Sequence, residues 1–248
     1  MMTRLIFPML LCALVACSNN QDSPSGSSQV NPRDSLATVQ LDENAYNVAL
    51  LVMDGTFNTE LTAPMDIFQH TKYRENIKPM NVFTIANTLD PIKTFEGLTI
   101  LPDFDYTADY PEIDILVIPA AEHNLDSDLH DEALLTFIKS VNENALYVTS
   151  HCDGAFVLAK TGLLDDRVST TFPGDVDAYK VMYPTLDVRE DVVFVHDGKY
   201  ITSAGGAKSF EASLYLCELL YGKKVADELA EGMVIDWNLA RLKYIVIL

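Results

Sequence analysis

The chain has 248 residues, of which 48% are hydrophobic and 21% charged, an ordinary globular composition with enough apolar content for a sizeable core. Its 36 acids against 17 bases leave a formal net charge of -19. A surface this acidic repels phosphate backbones and anionic lipid headgroups, which argues against nucleic acid, or a membrane held by charge alone, as the main partner.

In chain order, the first segment reads as an export signal. Arg4 supplies a positive start, and residues 5–16 form an apolar run too short to span a bilayer comfortably. The run ends Leu14-Val15-Ala16-Cys17, which resembles a bacterial lipobox whose cysteine is acylated after the leader is removed. A plain secretory signal cleaved near Ala16, or an uncleaved anchor, is the alternative. With Ser18 rather than Asp after Cys17, the expectation is a lipoprotein of the outer membrane facing the periplasm, ahead of the inner membrane or secretion. Residues 1–17 are thus read as a signal peptide. Residues 18–44, rich in Ser, Asn, Pro and Gly, read as a flexible tether, and residues 45–248 as one domain.

Within that domain, residues 46–53 are a short apolar run closed by Asp54-Gly55, a buried strand and a turn. Residues 60–70 predict a helix with Pro64 in its first turn. Residues 81–86 read as a strand, 93–101 as an extended piece bent at Gly97, and 113–119 as another core strand. Leu129, Ala133, Phe137 and Val141 recur at helical spacing. Residues 145–150 predict a fourth core strand, and 153–161 a helix closed by Gly162. Asp197-Gly198 between two short runs is a hairpin signal. Phe210, Leu214, Cys217 and Tyr221 mark a long helix, residues 223–232 another, and the apolar residues 244–248 an added strand or a subunit contact. Strands alternating with helices imply an α/β fold, a three-layer flavodoxin-like sandwich whose mostly parallel sheet carries helices on both faces. Ligands of such sheets bind outside the carboxyl ends of the strands, so the loops after Met53, Pro119 and Ser150 should converge.

The sharpest chemical signal is at residues 147–159, where an apolar strand runs directly into a helix with Cys152 at the junction. Ser150 and Gly154 flank the cysteine at two residues' distance, the small neighbours that a nucleophile elbow needs. The helix that follows should direct its amides and positive dipole end at the thiol and favour thiolate, with the amide of Asp153 as an oxyanion donor. Asp153 itself would partly offset that dipole unless its carboxylate points away. Cys217 lies on an apolar helix stripe, where packing is the default. Gly205-Gly206 lacks a full phosphate-loop pattern and reads as permitting close packing. The cysteines follow no zinc spacing or dense disulfide framework, no His/Asp/Glu spacing suggests a metal, and nothing calls for a cofactor.

Three stretches, residues 60–68, 152–164 with Ser169-Thr170-Thr171, and 197–206, are similar to the ThiJ/PfpI superfamily, which shares the class I glutamine amidotransferase-like fold. The resemblance spans about residues 47–237 and is nearest the branch of isocyanide hydratases and the amidotransferase-like domains of AraC-type regulators. It implies that Cys152 is the nucleophile, that Glu60 is the carboxyl that hydrogen-bonds it, and that Thr171 belongs to the site. It further implies an oxyanion amide at Ala121. Two departures stand out: Pro119-Ala120-Ala121 replaces the usual Pro-Gly-Gly, and Thr170-Thr171-Phe172-Pro173 replaces Thr-Thr-His-Trp.

Of the histidines, His151 precedes Cys152 on a strand and should point to the opposite face. His123, in the loop after Ala121, is within reach of the site, while His70, His130 and His196 read as surface positions. These features give two rival expectations. One is a cysteine-dependent hydratase or hydrolase acting on a small electrophilic substrate by isocyanide hydratase-like, glyoxalase-like or amidase-like chemistry. The other is a non-enzymatic sensor or ligand-binding module with an oxidisable cysteine. The expected partners are a small molecule, no nucleic acid, a membrane through the Cys17 lipid alone, and a second copy of the chain.

Overall fold

The apolar runs too short for helices become the strands of one central sheet. The computed structural model describes residues 39–247, so the leader, Cys12, Cys17 and most of the proposed tether lie outside the described residues. Along the chain the elements are β1 (Tyr46–Leu51), α1 (Asn58–Gln69), β2 (Met80–Ala86), β3 (Ile92–Lys93), β4 (Thr99–Ile100), β5 (Phe104–Asp105) and β6 (Ile115–Ile118). They continue as α2 (Glu132–Asn144), β7 (Tyr147–His151), α3 (Gly154–Lys160), β8 (Val168–Ser169), α4 (Val176–Met182) and β9 (Asp187–Val188). The last are β10 (Phe194–Asp197), β11 (Tyr200–Ser203), α5 (Lys208–Tyr221), α6 (Lys223–Gly232) and β12 (Tyr244–Ile247).

Eight strands pair in the order β12-β10-β11-β7-β6-β1-β2-β5, with only β10 and β11 antiparallel. The period of two along each strand sends alternate side chains to opposite faces. Ala49, Leu51, Leu116, Ile118 and Val148 pack with Leu134, Phe137, Ile138, Phe156 and Tyr179 from α2, α3 and α4. Val48, Leu50, Ile115, Val117 and Ile201 pack with Leu61, Ile67, Phe68, Leu214 and Leu229 from α1, α5 and α6. Each fully buried Leu, Ile or Phe contributes at most about 1.5–3 kcal/mol over its exposed state. The fold is therefore an α/β sandwich of three layers, flavodoxin-like, as the alternation of elements implies.

β1 lies inside the sheet, between β2 and β6. The chain leaves it toward β2 on one side and later returns to β6 on the other, which opens a crevice between the carboxyl ends of β1 and β6. The two loops at that point bind each other. Phe57 N–H donates to Ala120 C=O at 2.9 Å, Glu122 N–H donates to Gly55 C=O at 3.1 Å, and Thr56 and Ala121 form an antiparallel bridge.

Several local expectations shift. α1 begins at Asn58, so Pro64 lies inside the helix, past the first turn. Lacking an N–H, Pro64 leaves the Glu60 carbonyl without its helical partner. Asp131 caps α2 by accepting from the amides of Ala133 and Leu134, so the helix starts late. Leu129 falls in a preceding 3-10 turn, Ala133 is exposed, and the buried stripe is Leu134, Leu135, Phe137, Ile138 and Val141. Residues 244–247 form an edge strand, parallel to β10. Ahead of residue 45, Leu41 packs on the core, and Asp42 exchanges hydrogen bonds with Asn81.

Candidate active site

The elbow is built by a strand that must become a helix within two residues. Cys152 N–H still donates to Ser203 C=O at 3.0 Å, continuing the pairing of β7 with β11, but its φ has turned to 54°. A non-glycine residue in that region costs on the order of 1–3 kcal/mol and persists only where its surroundings hold it. Here they do. Thr171 Oγ1 lies 3.0 Å from the Cys152 carbonyl oxygen. Gly205 (φ 75°) passes so close that a Cβ on it would lie 2.2 Å from Cys152 Cβ. Gly154 opens α3 against β6, where a Cβ would lie 2.3 Å from the Ile118 carbonyl oxygen. Both glycines are required by the backbone traffic at the turn.

The thiol does not follow the expectation of a lowered pKa. Burial is the first reason: Cys152 is 8% exposed, and its pKa is pushed well up. The charges of Asp153, Glu60 and Asp175 add to the rise, and only the backbone N–H of Asp153, hydrogen-bonded to the sulfur, acts the other way. A seven-residue helix opening beside three acids cannot outweigh that surrounding.

Glu60 reaches the elbow from the first turn of α1 and is itself buried. Its Oε1 accepts from the N–H of Gly206 at 2.7 Å. The carboxyl is thus anchored next to the cysteine by the strand-to-helix turn after β11, and its charge acts on the thiol. Asp153, half-buried, has Oδ1 at 3.2 Å from Thr171 Oγ1. Its pKa is pushed up to about 7, first by burial and then by the charge of Asp175, which is also hydrogen-bonded to it. Asp175, just ahead of α4, carried no sequence signal; only the fold brings it to Asp153.

The remaining candidates fall elsewhere. His151 points into the opposite layer, among Phe68, Ile201, Ala212 and Leu216, with Nδ1 at 2.8 Å from Ser203 Oγ. Complete burial lowers its pKa to about 3, so it is neutral at ordinary pH. His123 is half-exposed and lies 3.7 Å from Asp126. Ala121 keeps a negative φ, but its N–H already donates to Asn124 Oδ1 at 2.8 Å. His196, expected at the surface, is buried: Nε2–H donates to the Gly198 carbonyl and Nδ1 accepts from the Tyr215 hydroxyl. Cys217 is fully buried on α5. Among the described residues, no group of three or more His, Cys, Asp or Glu side chains is arranged to hold a metal ion.

Comparison with known proteins fits this layout. Residues 46–219 match the model of the DJ-1/PfpI family. The chain is 29% identical to isonitrile hydratase of Pseudomonas putida over 73% of its length and 75% of that protein. It is 24% identical to protein DJ-1alpha of Drosophila melanogaster over 78% of its length and 86% of that protein. A crystal structure of a ThiJ/PfpI family protein from Pseudomonas syringae superposes with a TM-score of 0.69 at 21% identity, covering 87% of this chain and 84% of that one.

These relatives correct the membrane reading. The domain is shared with a hydratase and with DJ-1 proteins of an insect, which has no bacterial outer membrane. No helix among the described residues is long and apolar enough to cross a membrane. The expectation of a periplasm-facing lipoprotein held by an acylated Cys17, with its lipid-mediated membrane partner, is corrected by the relatives alone, whose shared domain is not tied to a bacterial outer membrane.

Proposed function

The chain belongs to the DJ-1/PfpI family, and on that footing we propose that it is a cysteine-dependent hydratase or hydrolase of a small electrophilic substrate, with Cys152 as nucleophile and Glu60 as its proton-handling carboxyl. The observation that carries this reading is the elbow: a strained cysteine with an amide on its sulfur and the charges of Glu60 and Asp153 acting on it. A thiol kept protonated in this way suits a substrate that takes up a proton as the sulfur adds.

An isonitrile is such a substrate, and the likeness to isonitrile hydratase supports it. Its terminal carbon accepts a proton from a carboxylic acid while Sγ bonds to the same carbon, and the thiol proton passes to a carboxylate. The resulting thioimidate adds water at that carbon. The C–S bond then breaks, the sulfur regains a proton, and an N-substituted formamide leaves. The Asp153 amide faces the sulfur and steadies charge there. Ala121 contributes its amide in this scheme only when Asn124 releases it. Glyoxalase-like or amidase-like reactions would use the same groups.

The second reading, an oxidisable sensor cysteine or ligand-binding module, is favoured by the same Asp153 amide and Glu60 carboxyl, which would hold the oxygens of a sulfinic acid. One assay separates the two. The purified protein is offered small aliphatic isonitriles, aldehydes and amides, and product is followed for the wild type, Cys152→Ser and Glu60→Gln. Turnover lost in both variants is the expected result. No turnover of any of these by the wild type, together with stoichiometric conversion of Cys152 to sulfinic acid by dilute peroxide, would leave the sensor reading standing.

A further inference from the structure

The loop after β6 turns one amide toward the elbow and then covers it. Phe57 N–H donates to Ala120 C=O and Glu122 N–H to Gly55 C=O, so Thr56 and Ala121 face each other as a pair whose own backbone groups point outward. The Ala121 N–H therefore leaves on the edge away from the loop that follows β1. On that edge β6 has β7 as its neighbour, with Cys152 just beyond the end of β7. The same loop lies against the start of α3, where a Cβ on Gly154 would meet the Pro119 carbonyl oxygen at 2.8 Å. An amide so placed is positioned to serve an oxyanion at the elbow.

Asn124 occupies that amide. Its Oδ1 accepts from Ala121 N–H at 2.8 Å, its backbone N–H donates to Ala121 C=O at 3.2 Å, and the residue is fully buried. Its Nδ2 donates to Asp128 Oδ2, also at 2.8 Å, and lies 3.6 Å from Met53 Sδ. The orientation of the side-chain amide is fixed, because a backbone N–H can only donate and must face its oxygen. Asp128, in the 3-10 turn before α2, thus anchors the far end of Asn124 through a carboxylate acceptor, the stronger kind of hydrogen bond.

We propose that Asn124 is a specificity-determining positioning residue, a lock that keeps the Ala121 amide from the reacting atoms and so turns Cys152 away from carbonyl carbons and toward carbons that bear no oxygen. The proposal deepens the hydratase reading and rests on it. When sulfur adds to a carbonyl carbon, the C=O electron pair moves to oxygen, and that oxyanion needs donors. When sulfur adds to an isonitrile, the carbon takes the sulfur and a proton. Water then adds across the C=N bond, whose electron pair goes to nitrogen. Neither step puts negative charge on an oxygen, so neither calls on the Ala121 amide.

Two reagents test the lock without a substrate. p-Nitrophenyl acetate acylates a thiol through an oxyanion: the C–S bond forms, the ester C–O bond breaks, p-nitrophenolate leaves and the thiol proton passes to solvent. Iodoacetamide alkylates the same sulfur by displacing iodide, with no oxyanion. Both rates are measured on the full chain, with Cys152→Ser to subtract reaction elsewhere. Asn124→Ala should raise the ratio of acylation to alkylation about tenfold or more. Asp128→Ala should raise it less, since Asn124 then loses its anchor but keeps Ala121. Asn124→Asp combined with Asp128→Asn exchanges acceptor and donor, rebuilds both bonds and should return the ratio to that of the wild type. A ratio unchanged in Asn124→Ala overturns the lock, as does a ratio raised equally by the exchanged pair. A merely structural Asn124 would move both rates together and leave the ratio fixed. Small aliphatic isonitriles are offered to the wild type alongside. Hydration with an unmoved ratio sinks the lock alone, and a raised ratio without hydration sinks the hydratase reading alone.

Discussion

Two cysteines are buried in this domain, and burial is nearly all they share. Cys217 lies within α5 among aliphatic side chains, and burial alone raises its pKa. Cys152 stands at a positive φ, bears an amide on its sulfur and has three carboxyl groups acting on it. Both thiols are shifted in the same direction, so the shift does not mark the site. Backbone strain and directed polar groups do, because these persist only where the rest of the fold holds them.

The comparison can be broken most sharply at the thiols themselves. Cys152→Ser should reduce hydration by about a thousandfold or more, since the sulfur is the proposed attacking atom. Cys217→Ala should leave turnover within about twofold and cost about 1–2 kcal/mol in urea unfolding, the expense of a small cavity. Equal losses of activity would erase the distinction.

Glycines sharpen it next. Gly205→Ala must fit a Cβ 2.2 Å from Cys152 Cβ at a φ of 75°, and should cost about 3 kcal/mol or more and change the alkylation rate of Cys152. Gly222, at a φ of 84° with nothing within 4 Å, should lose only about 1 kcal/mol on the same substitution. Denaturant curves for the two variants give the difference directly.

The pH dependence of stability should show the two faces of the elbow with opposite signs. His151 has its pKa lowered from 6.5 to about 3 in the folded state, so the unfolded chain binds a proton that the fold refuses. Stability should therefore fall as the pH drops below 6.5 toward 3, by up to about 1.4 kcal/mol per pH unit, and His151→Gln should flatten that limb of a pH-resolved melting series. Asp153 runs the other way. Its folded pKa is raised from 3.8 to about 7, so its contribution is fully present below 3.8 and is lost as the pH rises through 7. Asp153→Asn should accordingly stabilise the protein by about 1 kcal/mol above neutral pH, measured by thermal melts. A variant no more stable than wild type at that pH would show that the acid is not strained in the fold.

Much of this was legible before folding. The apolar runs at residues 46–53, 81–86, 113–119 and 145–150 became the parallel core strands β1, β2, β6 and β7. Gly162 follows α3 with a φ of 82°, and the hairpin at Asp197-Gly198 joins β10 to β11. The elbow was visible because a strand pattern met a helix pattern at a cysteine flanked by small residues. Other parts had no such signal. α4 has seven residues and buries only Val176 and Tyr179, too few for a period. β5, β8 and β9 are two residues each. The Ala121 amide looked like a free donor because nothing local to it announced that Asn124 would accept its hydrogen.

The sequence by itself determined the layered α/β fold and the position of the cysteine at its turn, because burial period, caps and turns are properties of neighbouring residues. The tertiary structure alone decided the chemistry around that cysteine. It brought Glu60 to Gly206 across 146 positions, turned His151 into the opposite layer, and brought the charge of Asp175 to act on Asp153. The acidity of a buried group depends on charge and solvent within a few ångströms, and only the folded chain fixes which residues occupy that space.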